Sequence, residues 1–185
     1  MKEKAFKACL HVIEKEGWKC FSFAKASEDS GIPLNVFHAH FSSPSDVMIH
    51  LFRKIDEAVL KNHELSAEKL PPKDALFEIL MARFDAAQKY KKVLRIFWHD
   101  WILSPEEAPA FACHGFSSMA WMLEAAGLSP RGLKGILRVQ GLTTLYLLTL
   151  RTWLEDESPD LGKTMVFLDK GLSRMEKIAT LLRTF

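Results

Sequence analysis

Residues 22–41 read SFAKASEDSGIPLNVFHAHF, and the fold of the chain turns on this stretch. Ser22 is a good N-cap residue for a short helix that ends at Gly31, a residue able to take the positive φ of a turn. Leu34 to His40 then forms a second short helix. Helix, glycine turn and helix follow one another in the spacing of a helix-turn-helix. Ala26 is small where two helices must cross closely, and Ile32, Val36, Phe37 and Phe41 supply apolar anchors beneath the second helix. The outward side of that helix shows Asn35, His38 and Ala39.

Working outward, Ala5, Ala8, Cys9, Val12 and Ile13 paint one apolar helix face before Gly17. Downstream, Ser-Pro recurs at 43/44, 104/105, 129/130 and 158/159, a pairing that offers an N-cap acceptor and a preset φ at the first helical position. Asp46 and Glu107 sit where a carboxylate can complete a capping box. Pro71-Pro72 breaks the chain before a long helical pair around 74–102, and Gly127 closes the helix before Ser129. Strand alternation and hairpin turns are scarce. The expectation is an all-α chain: a three-helix helix-turn-helix module over 1–62 packed on a larger helical domain over 63–185 that serves ligand binding and dimerisation.

The 185 residues are 48% hydrophobic, enough to bury a real core. A net charge of +2 advertises no polyanionic partner globally, so any such partner must be met locally. Cys9, Cys20 and Cys113 are odd in number and lack C-x-x-C spacing, which argues against a disulfide framework and a thiolate zinc site. The N-terminus alternates charge with apolar residues, unlike a signal peptide. The most apolar run, between Arg138 and Arg151, falls well short of the roughly 20 residues of a membrane span. These features predict a soluble, cytoplasmic protein without stable membrane insertion.

Chemistry is sparsely signalled. His38 and His40 are two apart on a short helix and diverge, and His99-Asp100 is adjacent rather than facing. Without a metal-binding His pair, a phosphate-cradling loop or a nucleophile elbow, no enzyme, metal or cofactor is expected. The acidic run EDESPD at 155–160 suits solvation of a turn and the start of the next helix better than calcium.

Gly17-Trp18, Ser22-Phe23, Ala26, Gly31-Ile32 and His40-Phe41 before Ser43 together resemble the TetR family of bacterial transcriptional regulators across residues 5–60. The resemblance implies that Leu34 to His40 is a DNA recognition helix, with His38 at an aromatic contact position and the next helix start on phosphate. The chain departs from the family at Pro44, where Lys is usual, and at Leu34, commonly polar or basic. Candidate DNA-binding residues are Lys19, Ser22, Lys25, Asn35, His38, His40, Ser43 and Ser45, with base readout resting on Asn35 and His38. Residues 1–61 hold nine Lys/Arg against eight Asp/Glu, a weak charge for a phosphate-neutralising module. The alternative is a tri-helical unit that only packs.

WMLEAAG at 121–127 and the segment from Leu145 to Lys177, with its SPD and FLD elements, resemble a second family: the ninth coenzyme-Q biosynthesis accessory protein and its relatives. That likeness implies isoprenoid binding and the alternative function of a lipid-handling accessory in ubiquinone synthesis. On the residues alone, GLTTLYLLTLRTWL at 141–154 is apolar on nearly every face, as for a central, enclosed helix. Phe84, Phe97, Trp98, Trp101, Phe111, Phe116, Met119 and Met122 are candidates to gather around it, with Leu145 and Leu148 contributed by the helix itself. They form either ordinary core or a pocket for an acyl or isoprenoid ligand. Met165, Leu168, Leu172, Met175, Ala179 and Leu182 make a seam spaced 3, 4, 3, 4, 3, open to intramolecular packing or to a homodimer through the last two helices.

The favoured expectation is a dimeric, TetR-type, operator-binding regulator controlled by a lipophilic small molecule.

Overall fold

The computed structural model describes residues 1–64, 70–102 and 108–181. Among the described residues the regular elements are α1 (Lys2–Glu16), α2 (Phe23–Ser30), α3 (Leu34–His38), α4 (Pro44–Glu64), α5 (Pro72–Ala87), a 3-10 turn (Gln88–Tyr90), α6 (Lys91–Ile102), α7 (Ala108–Ala125), α8 (Gly132–Glu155) and α9 (Gly162–Leu181). No strand occurs among them, and the fold is all-α. No described helix is long and apolar enough to cross a membrane.

The chain divides into two compact units. The first joins Met1–Lys54 to Lys89–His114, and the second joins Ile55–Gln88 to Gly115–Phe185. The N-terminal module therefore recruits α6 and the start of α7, which a single cut near residue 62 leaves out.

In the first unit α1 packs on α2, α3 and α6. Of its predicted apolar row, Ala5, Cys9, Val12 and Ile13 are buried and Ala8 is half-buried; Phe6, which that row left out, is buried beside them. Ser22 caps α2 by accepting from Lys25 N–H (3.3 Å), and Gly31 ends it at φ +68. Ala26 and Phe37 are fully buried and Phe41 nearly so, each large side chain contributing about 1.5–3 kcal/mol through removal from water. The second helix of the motif is shorter than expected and stops at His38: the His40 and Phe41 N–H groups both turn back to the Phe37 carbonyl.

The Ser-Pro pairs behave differently from one another. At 43/44, Pro44 opens α4 and Ser43 Oγ accepts from Asp46 N–H (3.3 Å), while Asp46 returns a bond to Ser42 N–H (2.8 Å). At 129/130 and 158/159 the helices start later than the pairing suggests, at Gly132 and Gly162. Ser129 Oγ accepts from Arg131 N–H two residues on, forming a local turn before the helix. Ser158 Oγ accepts from Gly162 N–H, with Leu161 held at φ +54 between them. The 104/105 pair and Glu107 lie outside the described residues.

The second unit centres on Ile79, Leu80, Met119, Met122, Leu123, Leu142, Leu145, Leu168 and Leu172. Helix α7 ends as expected, with Leu128 N–H bonded to the Leu123 carbonyl and Gly127 N–H to that of Glu124. Helix α9 packs on α8 and α5. Gly171 permits a close approach to α8: a Cβ there would fall 2.2 Å from Leu145 Cδ1. Leu168, Leu172 and Met175 of the predicted seam face this core, so the seam is used inside the chain. Met165 and Ala179 are exposed, and Leu182 lies outside the described residues.

Helix α8 corrects the expectation of a central, enclosed helix. Leu142, Leu145, Thr149 and Trp153 are buried, but Leu133, Ile136, Leu137, Leu147 and Leu148 are exposed on the opposite side. An apolar sequence on nearly every face can mean burial by the same chain or by another one; this chain covers only half of α8.

Candidate nucleic-acid interface and interior polar cluster

Helix α3 turns Phe37 inward and leaves Leu34, Asn35, His38 and Ala39 exposed. Asn35 and His38, three residues apart, share one helical face. An aromatic foundation holds it: Phe37 lies 6.0 Å from Phe23, Phe23 5.5 Å from Phe21, Phe21 6.0 Å from Trp18, and Trp18 5.2 Å from Phe97 of α6. A side chain carried on so rigid a base loses little further freedom on meeting a duplex.

The flanking groups are mixed in what they can offer. His40 is exposed just past α3, and Lys19 is exposed beside a shallow open groove of about 540 Å³ that also includes Cys20 and Arg95. The Lys19 backbone is pinned, since Asp100 Oδ2 accepts from the Trp18 N–H (2.9 Å) and Lys19 N–H (3.3 Å) groups. His99 Nδ1 approaches Asp100 Oδ1 at 3.2 Å, so these neighbours do meet, contrary to the expectation from adjacency. Burial pushes the Asp100 carboxyl up, but His99 and the two backbone donors outweigh it and hold it below its ordinary value.

Several cations are engaged within the chain. The Lys25 ammonium donates to Glu16 Oε2 (2.5 Å) and to the Cys20 carbonyl (3.0 Å), and Lys15 pairs with Asp29 (3.0 Å). Lys54 pairs with Glu3 (2.5 Å). Ser22 and Ser43 spend their hydroxyl oxygens on caps, and the Asp46 carboxylate sits at the start of α4, where a phosphate would gain from the helix dipole. Ser45 lies in the same turn, half-buried. The Lys25–Glu16 pair is open to solvent and to screening by salt, so a phosphate can displace it at little cost.

The ligand candidates do not assemble around α8 as one wall. Phe97, Trp98, Trp101 and Phe111 belong to the first unit, where Phe97 lies 5.0 Å from Phe111 and Trp98 5.7 Å from Trp101. Phe84, Met119, Met122 and Leu145 are buried in the second unit. Phe116 (42% exposed) and Leu148 (52%) point outward. Helical spacing tells which residues share a face of one helix, not which unit that face closes on.

One interior feature escaped the sequence. Arg83 of α5, 4% exposed, donates from Nε to Asp56 Oδ1 (2.7 Å) and from Nη2 to Ser118 Oγ (3.1 Å). Its guanidinium stands 4.3 Å from the Tyr146 ring centroid, and Phe84 stacks on that same ring at 5.4 Å. Burial alone would favour the neutral guanidine, but the Tyr146 oxygen and Asp56 carboxylate prevail and Arg83 stays charged. A signal was present: Arg83 occupies a core position in the row Leu76, Ile79, Leu80, Arg83, Phe84, Ala87, where a charge demands an explanation. Among the described residues no group of three or more His, Cys, Asp or Glu could hold a metal ion.

The sequence matches no protein-family model. No curated protein matches it either. Solved structures do: a TetR transcriptional regulator from Nitrosomonas europaea ATCC 19718 superposes with a TM-score of 0.75 at 20% identity, covering 94% of this chain and 96% of that one. A TerR/AcrR-family transcriptional regulator from Aquifex aeolicus VF5 gives a TM-score of 0.59 at 19% identity, over 94% of this chain and 98% of that one. The fold is therefore that of these regulators, and it extends over the C-terminal half. The likeness of that half to the ubiquinone accessory family finds no support in these comparisons.

Proposed function

We propose that this chain is a homodimeric, DNA-binding transcriptional regulator of the TetR type, controlled by a lipophilic small molecule taken into its second unit. The observation that carries the reading is the exposed Asn35/His38 face of α3, set on a continuous aromatic base within a regulator fold. Asn and His tips reach base edges in a major groove, while Lys19, His40, Ser45 and a Lys25 released from Glu16 position the backbone.

Dimerisation explains the outward row of α8. Leu133, Ile136, Leu137, Leu147 and Leu148 lie along one side, and Phe167, Ile178 and Leu181 of α9 are likewise exposed. A twofold pairing of these stripes buries them, and a dimer carrying two copies of α3 reads two operator half-sites about one or a few helical turns apart. A ligand alters operator affinity only by preferring one of two arrangements of the helices around it. Buried Phe84, Met119, Met122 and Leu145 are the interior residues for such a ligand to meet.

The test is fluorescence anisotropy against duplexes selected by the protein from a random pool, with salt varied. Sequence preference with an expected loss of roughly 10-fold or more in the Asn35→Ala/His38→Ala double variant supports the reading, since each good base contact contributes about 1–3 kcal/mol. Absence of any selected sequence, even in dilute buffer, overturns it.

A further inference from the structure

The interior of the second unit holds a polar centre, Arg83 with Asp56, Ser118 and Tyr146, among apolar side chains. A guanidinium carries five N–H donors. Here Nε serves Asp56, Nη2 serves Ser118, and Nη1, fully buried, has no hydrogen-bond partner among the described residues. Leaving a buried, charged N–H group without an acceptor is costly, and native proteins supply one for nearly every such group. A buried ion pair is also a poor device for stability, because an apolar replacement often does as well. Stability alone therefore accounts weakly for both the pair and its spare donors.

We infer that Arg83 Nη1 is the docking donor for the regulator's effector, and that the effector is an uncharged, mostly apolar molecule bearing a carbonyl-type oxygen. This rests on the ligand-controlled reading above and names the chemistry of that ligand. Charge decides the class. Arg83 is already neutralised by Asp56, so a carboxylate ligand would bring a second anion into the same buried site, whereas a ketone or ester oxygen accepts the hydrogen bond without that penalty. Phe84, Tyr146 and the thioethers of Met119 and Met122 supply the apolar surround. The unbranched Met side chains, one and four residues beyond Ser118 on α7, have the rotamer freedom to yield to an alkyl chain.

The experiment titrates the intact protein with 2-nonanone, nonanoate and nonane, which share a chain and differ at the head. Binding of 2-nonanone roughly 10- to 100-fold tighter than nonane or nonanoate is expected, the range of one hydrogen bond to a charged donor. Arg83→Lys, which keeps the charge beside Asp56 but loses the forked donor, should bring the ketone down to the level of nonane. The paired Arg83→Met/Asp56→Leu variant removes both charges together and should do the same, so the result does not hang on one variant folding. A wild-type protein that prefers neither head group, or that takes nonanoate as tightly as the ketone, overturns the inference. Selected-operator binding is measured on the same samples: if it is intact while the ketone preference is missing, only the effector assignment falls; if selective DNA binding is missing, the regulator reading falls with it.

Discussion

Replacing Asp156 with Ala should cost the second unit more stability than its place in a turn suggests. The side chain is 1% exposed and accepts from Ser158 N–H (3.1 Å) and Ser158 Oγ (2.5 Å) on one oxygen and from Thr164 N–H (2.9 Å) and Thr164 Oγ (2.8 Å) on the other. It thereby ties the end of α8 to the first turn of α9, including N–H groups that a helix start leaves without internal partners. Thr164 is fully buried, so its two donors would lose their acceptor without gaining water. Two orphaned donors at about 1–3 kcal/mol each, partly relieved by local rearrangement, give a loss of about 3–4 kcal/mol, and Asp156→Asn, which keeps one oxygen, should lose about half of that.

The pH dependence follows from the same contacts. Burial pushes this carboxyl up, but the hydrogen bonds from Ser158 and Thr164 overcome it and hold it far below the ordinary carboxylate range. Its contribution is thus fully present above the unfolded-state value and fades as pH falls from there toward the folded-state value. Urea unfolding of wild type, Asp156→Ala and Asp156→Asn at pH 7 and at successively lower pH measures both effects. A loss under 0.5 kcal/mol for the Ala variant at neutral pH, judged against the roughly 1 kcal/mol of an ordinary cap, would refute the reasoning. So would a wild-type advantage that grows in acid.

Other outcomes follow from the same geometry. Lys25→Ala should weaken DNA binding and reduce the log–log salt slope by about 0.9, as for one lost phosphate contact; an unchanged slope would show that Lys25 does not reach the backbone. If the proposed dimer forms through α8 and α9, Leu137→Glu with Ile178→Glu should leave a monomer by light scattering without loss of helical signal, because both positions are more than half exposed in the single chain. Two glycines should respond with opposite sign in thermal unfolding. Gly171→Val forces a branched side chain onto Leu145 and should destabilise by about 1–3 kcal/mol. Gly141→Ala meets only the flexible Met175 methyl at 3.2 Å and should gain up to about 1 kcal/mol from helix propensity.

The sequence by itself determined what depends on near neighbours. Ser22, Gly31 and the spacing of Ala26, Phe37 and Phe41 were sufficient to specify the helix-turn-helix, because caps, positive φ and helical periodicity act within a few residues. The exposed Asn35/His38 face followed from the same periodicity. Only the tertiary structure decided the rest: that Phe97, Trp98 and Trp101 join the N-terminal unit, that Arg83 finds Asp56 27 residues earlier and Ser118 35 later, and that α8 leaves an apolar side uncovered. Periodicity shows that a helix has a face to bury and carries no record of which surface, in this chain or in a second copy, removes that face from water.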